Sequence, residues 1–404
     1  MRVLSASPTT GLYVLVVLTF GAYLPSSLSP GYQHAFGADD LTMTLIHAVF
    51  ALVSAPALLL LGSVSDRFGA RPVLRAGIVL AALGSACFAL APGVEWLLVG
   101  RAAQGLALGA TTGAAAALVS EETAGGSRHR GAVLSGIAFV AGTALGAAAG
   151  RFLAQYAPAP YVLPFLLHLV LLAIAWYWVS ALAPATGLAA GRIRPWRPTV
   201  PRIPSGMRAL FATASAVGFL AWTAAGLFLA IIPALLARSG RPNTAVTGCI
   251  LGAVLICSAL TQPLVGRLGA RRAQLAGLTG LLVSLSLLSL TAGRSVSLTL
   301  AAAVVAGAGH GLAYAGAAAA VDARAPAKER GALTGALYLS FYLGSGLPAL
   351  AVGLLTIPLS LTAATSLVTS VAAILVLLTS IAVAEVDRPV RVPPKGRVIY
   401  IRLK

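Results

Sequence analysis

Charge and cysteine are both scarce in this sequence of 404 residues. Charged residues make up 9% of the chain, against about 25% in a soluble domain, whereas hydrophobic residues make up 58% and the mean hydropathy is +0.92. So few charges cannot cover a water-exposed surface, which excludes a soluble protein and indicates a chain dissolved in lipid. The three cysteines, Cys87, Cys249 and Cys257, lie inside apolar runs, which excludes a disulfide framework and a zinc-finger spacing.

The motifs of enzyme and cofactor chemistry are missing as well. The sequence contains no Walker loop, no nucleophile triad and no metal-ligand cluster. We therefore expect neither an enzyme nor a direct user of ATP, and we expect no cofactor and no metal.

Long apolar runs are what the sequence has in abundance. A bilayer core requires about 20 apolar residues per helix, and helix is the spanning structure for runs of this length, because backbone groups in lipid must be satisfied within the segment. The first run is too long for a signal peptide and lacks a small-residue cleavage site, so we interpret it as a helix. The predicted spans are 11–29, 41–63, 73–92, 95–120, 131–153, 160–183, 208–236, 244–265, 273–292, 295–320, 331–357 and 360–384.

The positions of the basic residues predict the orientation of these spans. Most of the 28 Lys and Arg residues fall on one side if the N-terminus is cytoplasmic, and cytoplasmic loops carry the Lys/Arg excess in membrane proteins. Both termini are then cytoplasmic and the chain is a multi-pass protein of the inner (cytoplasmic) membrane. The charge is spread over several loops beside anionic lipid, which argues against nucleic acid as a partner despite the net charge of +18.

Two short segments recur at matching places in the two halves of the chain. Residues 67–71 (RFGAR) are repeated at 267–271 (RLGAR), and the tripeptide at 130–132 (RGA) is repeated at 330–332. A Pro- and Arg-rich stretch that cannot span a membrane separates the two copies. We therefore divide the chain into a six-helix bundle (1–183), a basic cytoplasmic linker (184–207), a second six-helix bundle (208–384) and a cytoplasmic tail (385–404).

Two motifs resemble those of a known transporter family. The loop after the second span, 62–72 (GSVSDRFGARP), is similar to the G-x-x-x-D-R-x-G-R-[KR] signature of the major facilitator superfamily, with Ala70 where an Arg is usual. The fourth span, at 101–110 (RAAQGLALGA), resembles the family's R-x-x-Q-G-x-G-A pattern. The resemblance implies an all-α integral membrane fold of the bacterial 12-helix type, built from two pseudo-symmetric six-helix bundles.

The pattern of drug–proton antiporters is only partly present in the fifth span. At 142–151 (GTALGAAAGR), Ala147 and Arg151 replace the proline and the last glycine of G-x-x-x-G-P-x-x-G-G. The small-xxx-small spacing is retained, and it is typical of close helix packing. The segment therefore favours helix packing over an antiport signature.

The loop signature predicts a conformational latch made of Gly62, Asp66, Arg67, Gly69 and Arg71. Arg67 and Arg71 also fit a solvated turn, whereas Asp66 is an acid among basic neighbours. A carboxylate is stabilised at a helix N-terminus, and the family resemblance supplies that partner at the cytoplasmic start of the eleventh span, near Gly331. Asp66 would hold the two bundles together on the inner side while the outer side is open.

Arg101 is the main candidate for coupling. It lies six residues after Glu95, roughly 9 Å along the helix from the outer mouth, where an arginine must face protein or water. The resemblance implies a part in proton coupling, with Gln104 on the same face. The alternative is a structural pair with a polar neighbour or with backbone carbonyls.

The ten acidic residues all fall at span ends, in loops or in the tail, so no carboxylate is predicted at mid-membrane. His47, His168 and His310 lie within spans, and histidine is the side chain whose free pKa of about 6.5 suits proton transfer. We expect His168 to be a packing residue. His310 is the third coupling candidate, because the resemblance places the tenth span, with Tyr314 one turn on, against the central cavity.

Other candidates for lining a substrate cavity follow from helical spacing and from the spans that line it in this family. As a set they would form an amphipathic pocket for a partly apolar solute, although aromatic residues beside small ones also occur in plain packing. The cavity candidates are Thr19, Tyr23, His47, Trp222, Tyr314, Tyr338 and Tyr342.

Two functions remain open at this point. One is a secondary active transporter that exports a small, partly hydrophobic compound in exchange for protons by alternating access. The other is uptake or facilitated diffusion of a small organic anion by the same fold, with Arg101 as its counter-charge. A membrane sensor or scaffold that moves nothing is a third class. For the transporter we expect a monomer in the lipid bilayer, with a small solute and protons as partners.

Overall fold

The computed structural model is built from α-helices, with two short 3₁₀ turns and no strand among the residues that it describes. Twelve of these helices are long and apolar enough to cross a membrane, which confirms the predicted all-α membrane fold. The structure describes residues 8–61, 64–122, 128–182, 203–238, 244–291, 294–326 and 329–386.

The twelve helices match the twelve predicted spans in order. They are α1 (Pro8–Phe36), α2 (Asp40–Leu61), α3 (Ala70–Ala89), α4 (Val94–Glu122), α5 (Arg128–Tyr156), α6 (Leu163–Ala181), α7 (Arg208–Ala230), α8 (Thr244–Thr261), α9 (Ala270–Thr291), α10 (Val296–Arg324), α11 (Arg330–Leu355) and α12 (Leu361–Val386). Shorter helical segments lie at Val64–Phe68, Ser205–Met207, Ile232–Arg238, Gln262–Leu264 and Val265–Leu268.

The seventh span is made of two helical pieces. The helix α7 ends at Ala230, and a short helix resumes at Ile232–Arg238. Pro233 lies at the start of the second piece and has no N–H to donate to the carbonyl of Leu229, so the ladder of hydrogen bonds is interrupted there.

The helix contacts of α1–α6 recur in α7–α12. The pairs α1–α5, α2–α4, α3–α4 and α3–α6 have their counterparts in α7–α11, α8–α10, α9–α10 and α9–α12. The two largest contacts between the two sets, α2 with α11 and α5 with α8, are also counterparts of each other. The sequence repeat is therefore accompanied by a repeat of helix packing.

The repeated loop has the same backbone conformation in both copies. Gly69 has φ +81° and Gly269 has φ +78°, a region that residues with a Cβ rarely adopt. Arg71 donates to the carbonyl of Ser180 at the end of α6, and Arg271 donates to the carbonyl of Ala384 at the end of α12, both at 2.7 Å. Each arginine thus ties the third helix of its set to the sixth.

Glycines bring α1 and α5 into backbone contact. A Cβ added to Gly146 would lie 2.1 Å from the carbonyl oxygen of Phe20, and one added to Gly344 of α11 would lie 2.2 Å from that of Phe219 in α7. Small residues allow such close approach within a membrane, where van der Waals packing holds helices together. The glycine spacing of the fifth span is therefore used in helix packing.

Candidate functional site

Arg101 of α4 is buried in the helix bundle with 2% of its surface exposed. Its guanidinium donates to the carbonyl of Ala22 and to the hydroxyl of Ser26 at 3.2 Å, both on α1. The guanidinium carbon also lies 5.3 Å from the ring centroid of Phe50 on α2, in a cation–π contact. Arg101 therefore joins α4 to the middle parts of α1 and α2.

A proline explains why α1 offers carbonyls to α4. Pro25 has no N–H, so the carbonyl of Gly21 loses the donor that an ordinary helix would give it. Gln104 donates its side-chain amide to that carbonyl at 3.1 Å, while Arg101 binds the next carbonyl, that of Ala22. Arg101 and Gln104 therefore donate hydrogen bonds to the backbone carbonyls of α1 next to Pro25. A pairing of Arg101 with backbone carbonyls is the structural role considered for it from the sequence.

The charge of Arg101 has no carboxylate beside it. An ion pair joins Arg238 to Asp40, and the acidic side chains within the described ranges all stand at or beside helix ends. Backbone carbonyls and an aromatic face surround the guanidinium instead. The region around Arg101 thus has a net positive charge in a buried setting, which favours an anionic or acceptor group nearby.

His168 is satisfied at both ring nitrogens. Its Nδ1 lies 2.6 Å from the hydroxyl of Ser85, and its Nε2 lies 3.0 Å from the carbonyl of Val17. Because a carbonyl can only accept, Nε2 carries the proton and Nδ1 accepts from Ser85. These partners give His168 the packing role expected from the sequence.

His310 has the same kind of partner on one side only. Its Nδ1 lies 2.7 Å from the hydroxyl of Ser258 on α8, but Nε2 has no hydrogen-bond partner although the side chain is fully buried. Its ring packs edge-to-face on Trp222, with centroids 4.9 Å apart, and stacks on Tyr314 at 5.6 Å. His310 therefore presents an unpaired polar nitrogen among aromatic rings.

A small chamber lies beside these rings, at the middle of the bundle. It is lined by Phe139, Trp222, Tyr338, Phe341 and Tyr342, which leave little free space between them. The lining residues come from α5 in the first set of helices and from α7 and α11 in the second. The chamber is therefore located between the two sets.

Aromatic contacts connect the chamber with both coupling candidates. On one side, Tyr314 contacts Tyr338 and binds its hydroxyl at 3.1 Å, next to His310. On the other side, Tyr342 contacts Phe50 at 6.3 Å between centroids, and Phe50 in turn contacts Tyr23 and Arg101. One group of rings thus reaches the chamber lining from His310, and another reaches it from Arg101.

The remaining predicted cavity residues have other surroundings. Thr19 packs against Gly142 of α5 and donates its hydroxyl to the carbonyl of Leu15, so it belongs to a helix contact. His47 on α2 lies 3.5 Å from the hydroxyl of Ser345 on α11, where it bridges the two sets of helices.

The predicted latch is only partly within the described residues. Gly69 and Arg71 have the backbone turn and the contact with α6 given above. Gly62 and the side chains of Asp66 and Arg67 lie outside the described part of the chain, so the latch stays a prediction.

The two sets of helices meet on the face that carries Asp40 and Arg238, which we call the Asp40 face. Arg238 donates to the carboxylate of Asp40 at 2.6 Å, and Gln33 of α1 donates to the same oxygen at 2.8 Å. A Cβ on Gly353 of α11 would lie 1.8 Å from the hydroxyl of Thr44 on α2. Helices α2 and α11 are therefore closed against each other on this face.

Three residues of the site were missed from the sequence. Phe50 is one turn from His47 on α2, and Phe139 is an isolated aromatic residue in the small-residue part of α5, so helical spacing could have identified both. Ser258 gave no such signal, because its partner His310 lies far away along the chain.

Each half of the chain matches the same family model. The family model described as Major Facilitator Superfamily matches residues 11–240 and again residues 214–399. The tetracycline resistance protein, class G, of Vibrio anguillarum is 30% identical over 244 residues, which are 58% of this chain and 60% of that protein. The class B tetracycline resistance protein of Escherichia coli is 30% identical over 134 residues, 33% of this chain and 32% of that protein. The match thus covers about 60% or less of these relatives' length.

Solved structures share the fold at low sequence identity. A POT family transporter in complex with 5-aminolevulinic acid superimposes with a TM-score of 0.73 at 15% identity, covering 94% of this chain and 96% of that one. A bacterial homologue of the human lysosomal transporter Spinster, in an inward-facing and unoccupied conformation, gives 0.69 at 13% identity, covering 95% and 98%.

Proposed function

The chain belongs to the major facilitator superfamily, a family of membrane transporters for small solutes, and we propose that it exports a small, partly hydrophobic compound in exchange for protons. The observation that carries this proposal is the chamber between the two sets of helices, lined by aromatic residues from both. The partial similarity to tetracycline resistance proteins supports export.

The charge distribution of the loops supports a cytoplasmic location for both termini in the inner membrane. In that orientation the Asp40 face is the outer face. The ion pair between Asp40 and Arg238 then closes the outer mouth, and α2 and α11 must part there to release a solute outward. Asp66 would take over as the latch on the inner side in that second state.

The aromatic walls favour a partly apolar solute. Tyr, Trp and Phe side chains supply large apolar surfaces, and their polar atoms fix the orientation of a bound molecule. Three of the lining residues, Trp222, Tyr338 and Tyr342, carry such polar atoms, while the surface that they turn to the chamber is apolar.

Proton exchange would have to use a histidine or a group at the chamber mouth, because no carboxylate was found at the depth of the chamber among the described residues. His310 is our candidate carrier, since its Nε2 is unpaired and its ring packs on Trp222, which lines the chamber. Arg101 and Gln104, which bind α1 beside Pro25, would transmit a change in the charge of His310 to that helix.

Facilitated movement of a small organic anion is the second candidate function. The buried charge of Arg101, which has no carboxylate partner within the described ranges, favours it. This function keeps the same fold and chamber and needs no proton carrier.

Proton movement in inside-out vesicles distinguishes the two functions. Candidate compounds, beginning with tetracycline, are added to energised vesicles while a dye reports the internal pH. Export in exchange for protons predicts a rise of internal pH on solute addition, and His310→Gln should abolish that rise. Solute entry into the vesicles without any pH change would refute proton exchange and support the organic anion.

A further inference from the structure

We propose that His47 makes the closure of α2 on α11 depend on a proton: the two helices close on the Asp40 face while His47 is uncharged, and a proton on its ring holds them apart. This inference rests on the proposed function only for the orientation of that face toward the outside. The dependence on the proton is argued from the surroundings of His47.

His47 lies in the contact between the two sets of helices. Its side chain is 4% exposed, and its Nε2 lies 3.5 Å from the hydroxyl of Ser345 on α11, which is buried as well. A Cβ on Gly346 of α11 would lie 2.8 Å from that of Ala51 on α2, so the two helices are close together beside this pair. The closed contact therefore keeps His47 away from water.

The hydrogen bonds at this position suit a neutral imidazole. A neutral ring has one N–H, and the hydroxyl of Ser345 can either accept from that N–H or donate to a bare nitrogen. A charged ring has an N–H at both nitrogens, but Nδ1 of His47 has no hydrogen-bond partner in the closed contact. Protonation of His47 would thus bury an N–H group without an acceptor, which is unfavourable.

Arg101 brings a positive charge to the same part of α2. Its guanidinium lies over the ring of Phe50, which is one turn from His47, and its charge acts on His47. The acidic residue of α2 is Asp40, about two turns from His47 and paired with Arg238. Among the described residues, a charged His47 would therefore be a second buried cation near Arg101 with no carboxylate beside it, which is unfavourable.

The other titratable groups on the helices that pack against α2 keep their charge state near neutral pH. Tyr23 of α1 and Tyr342 of α11 contact Phe50, and a phenol is neutral at that pH. Glu95 is exposed in the first turn of α4, and Arg208 begins α7 at the end far from the Asp40 face. Within the described part of this contact, histidine is thus the side chain whose charge changes between roughly pH 5 and 8.

Opening of the contact makes the charged ring favourable. Once α2 and α11 part, water solvates the charge and accepts the second N–H, so His47 binds a proton as a free histidine does, at about pH 6.5. The closed state excludes that proton, so acid shifts the equilibrium toward the open state. Between pH 7.5 and pH 5.5 the ratio of open to closed molecules should rise about ten-fold, since the proton binds the open state alone.

This dependence gives the transport cycle a proton step at the outer face. In the proposed exporter, opening toward the outside is accompanied by uptake of an external proton on His47. That proton must leave His47 before α2 and α11 close again. The step is separate from the carrier proposed at His310.

The labelling rate of a buried cysteine measures the open fraction at each pH. Thr44 is 3% exposed on α2 and its side chain meets Gly353 of α11, so Thr44→Cys reacts when the two helices part. Ile357→Cys, at a position that is 73% exposed just after α11, reacts in both states and corrects for the pH dependence of the maleimide reaction itself. Each is measured with a water-soluble maleimide on the full chain in lipid nanodiscs, with the three native cysteines replaced by alanine.

We expect the rate at Thr44→Cys, relative to that at Ile357→Cys, to rise about ten-fold from pH 7.5 to pH 5.5. Adding His47→Gln, which stays neutral and retains a hydrogen-bonding side chain beside Ser345, should remove the rise. His34→Gln, a change of an exposed histidine in the last turn of α1, is the matched control and should keep it.

Two results would overturn the proposal. One is a relative rate in the parent that is equal at both pH values, and this result does not depend on any variant of His47. The other is a rise that persists in His47→Gln. If His47→Gln does not fold, His47→Asn makes the same comparison with a smaller neutral side chain.

Failure of the proton-dependent closure and failure of the proposed function give different results. If acid opens the contact through His47 but solute addition never raises the internal pH of vesicles, the closure stands and proton exchange is wrong. If solute addition raises the internal pH but the relative labelling rate is equal at both pH values, proton exchange stands and the role of His47 is wrong.

Discussion

Removal of the charge of Arg238 should loosen the closure of the Asp40 face. In Arg238→Gln the carboxylate of Asp40 keeps its hydrogen bond from Gln33 but loses the ion pair at 2.6 Å that comes from the other set of helices. The backbone and the packing of α2 on α11 remain as they are. The variant therefore weakens one contact between the two sets and leaves each set intact.

The free energy that the ion pair between Asp40 and Arg238 contributes depends on how exposed the two side chains are. The side chain of Arg238 is 51% exposed and that of Asp40 is 14% exposed, so solvent screens much of the attraction. Exposed ion pairs contribute about 0.2–1 kcal/mol, and the short contact here places this pair near about 1 kcal/mol. The ratio of open to closed molecules at the Asp40 face should therefore rise about five-fold.

Labelling of a cysteine behind this closure measures that ratio. Ser345 is buried on α11 beside His47 and becomes accessible from the Asp40 face when α2 and α11 part. In a background with Cys87, Cys249 and Cys257 replaced by alanine, Ser345→Cys is labelled with a membrane-impermeant maleimide in intact cells. The labelling rate is proportional to the open fraction when closing is fast.

Arg294→Gln provides the matched control, because Arg294 is an exposed arginine in the loop before α10 on the same face. The charge change is identical, but the contact between α2, α11 and the short helix that ends at Arg238 is not altered. Equal labelling rates in Arg238→Gln, Arg294→Gln and the parent would refute the reasoning. Partial return to the slow rate in the charge-exchanged variant Asp40→Arg/Arg238→Asp would support it.

Three further predictions test other parts of the structure. Gly146→Ala should destabilise the protein by about 1–3 kcal/mol, because its Cβ would overlap the carbonyl of Phe20. Gly335→Ala, whose Cβ would have nothing within 4 Å, is the control and should not destabilise it. Thermal unfolding in detergent measures both variants, and equal melting temperatures would contradict the role of Gly146 in helix packing. Gln104→Leu should lower the free energy of unfolding by about 1 kcal/mol, because the carbonyl of Gly21 beside Pro25 loses its donor. Steric trapping measures this free energy, and equal values for Gln104→Leu and the parent would disprove the role of the contact. Asp66→Asn should reduce solute transport in proteoliposomes at unchanged expression, since the predicted inner latch needs a carboxylate; unchanged rates would remove the latch.

The helices of this protein were largely predictable from its sequence, because apolar length decides what spans a membrane. The break of α7 at Ile231 comes just before Pro233, a residue type that kinks or interrupts helices. The first helix extends to Phe36, well beyond the predicted end at residue 29, and it continues through Pro25, where Gln104 donates to the carbonyl of Gly21.

Individual site contacts were much less predictable. The burial of Arg101 followed from its depth in the fourth span, but its carbonyl partners depend on how Pro25 of another helix faces it. Likewise, helical spacing placed Tyr314 with His310, whereas the choice of Ser258 as partner and the unpaired Nε2 depend on helix packing across α8 and α10. Contacts between distant residues leave no periodic pattern in a single sequence.

The central claim is that α2 and α11 must part on the Asp40 face for a solute to cross. A reversible cross-link between them tests it, and Ala51→Cys with Gly346→Cys provides the pair, because a Cβ on Gly346 would lie 2.8 Å from that of Ala51. Disulfide geometry requires about 3.8 Å between Cβ atoms, which a small adjustment of α11 provides. Counterflow of the solute in proteoliposomes, in the cysteine-free background, is measured before and after reduction. The account predicts no transport in the oxidised protein and recovery on reduction, and transport by the oxidised protein at the rate of the reduced one would contradict it.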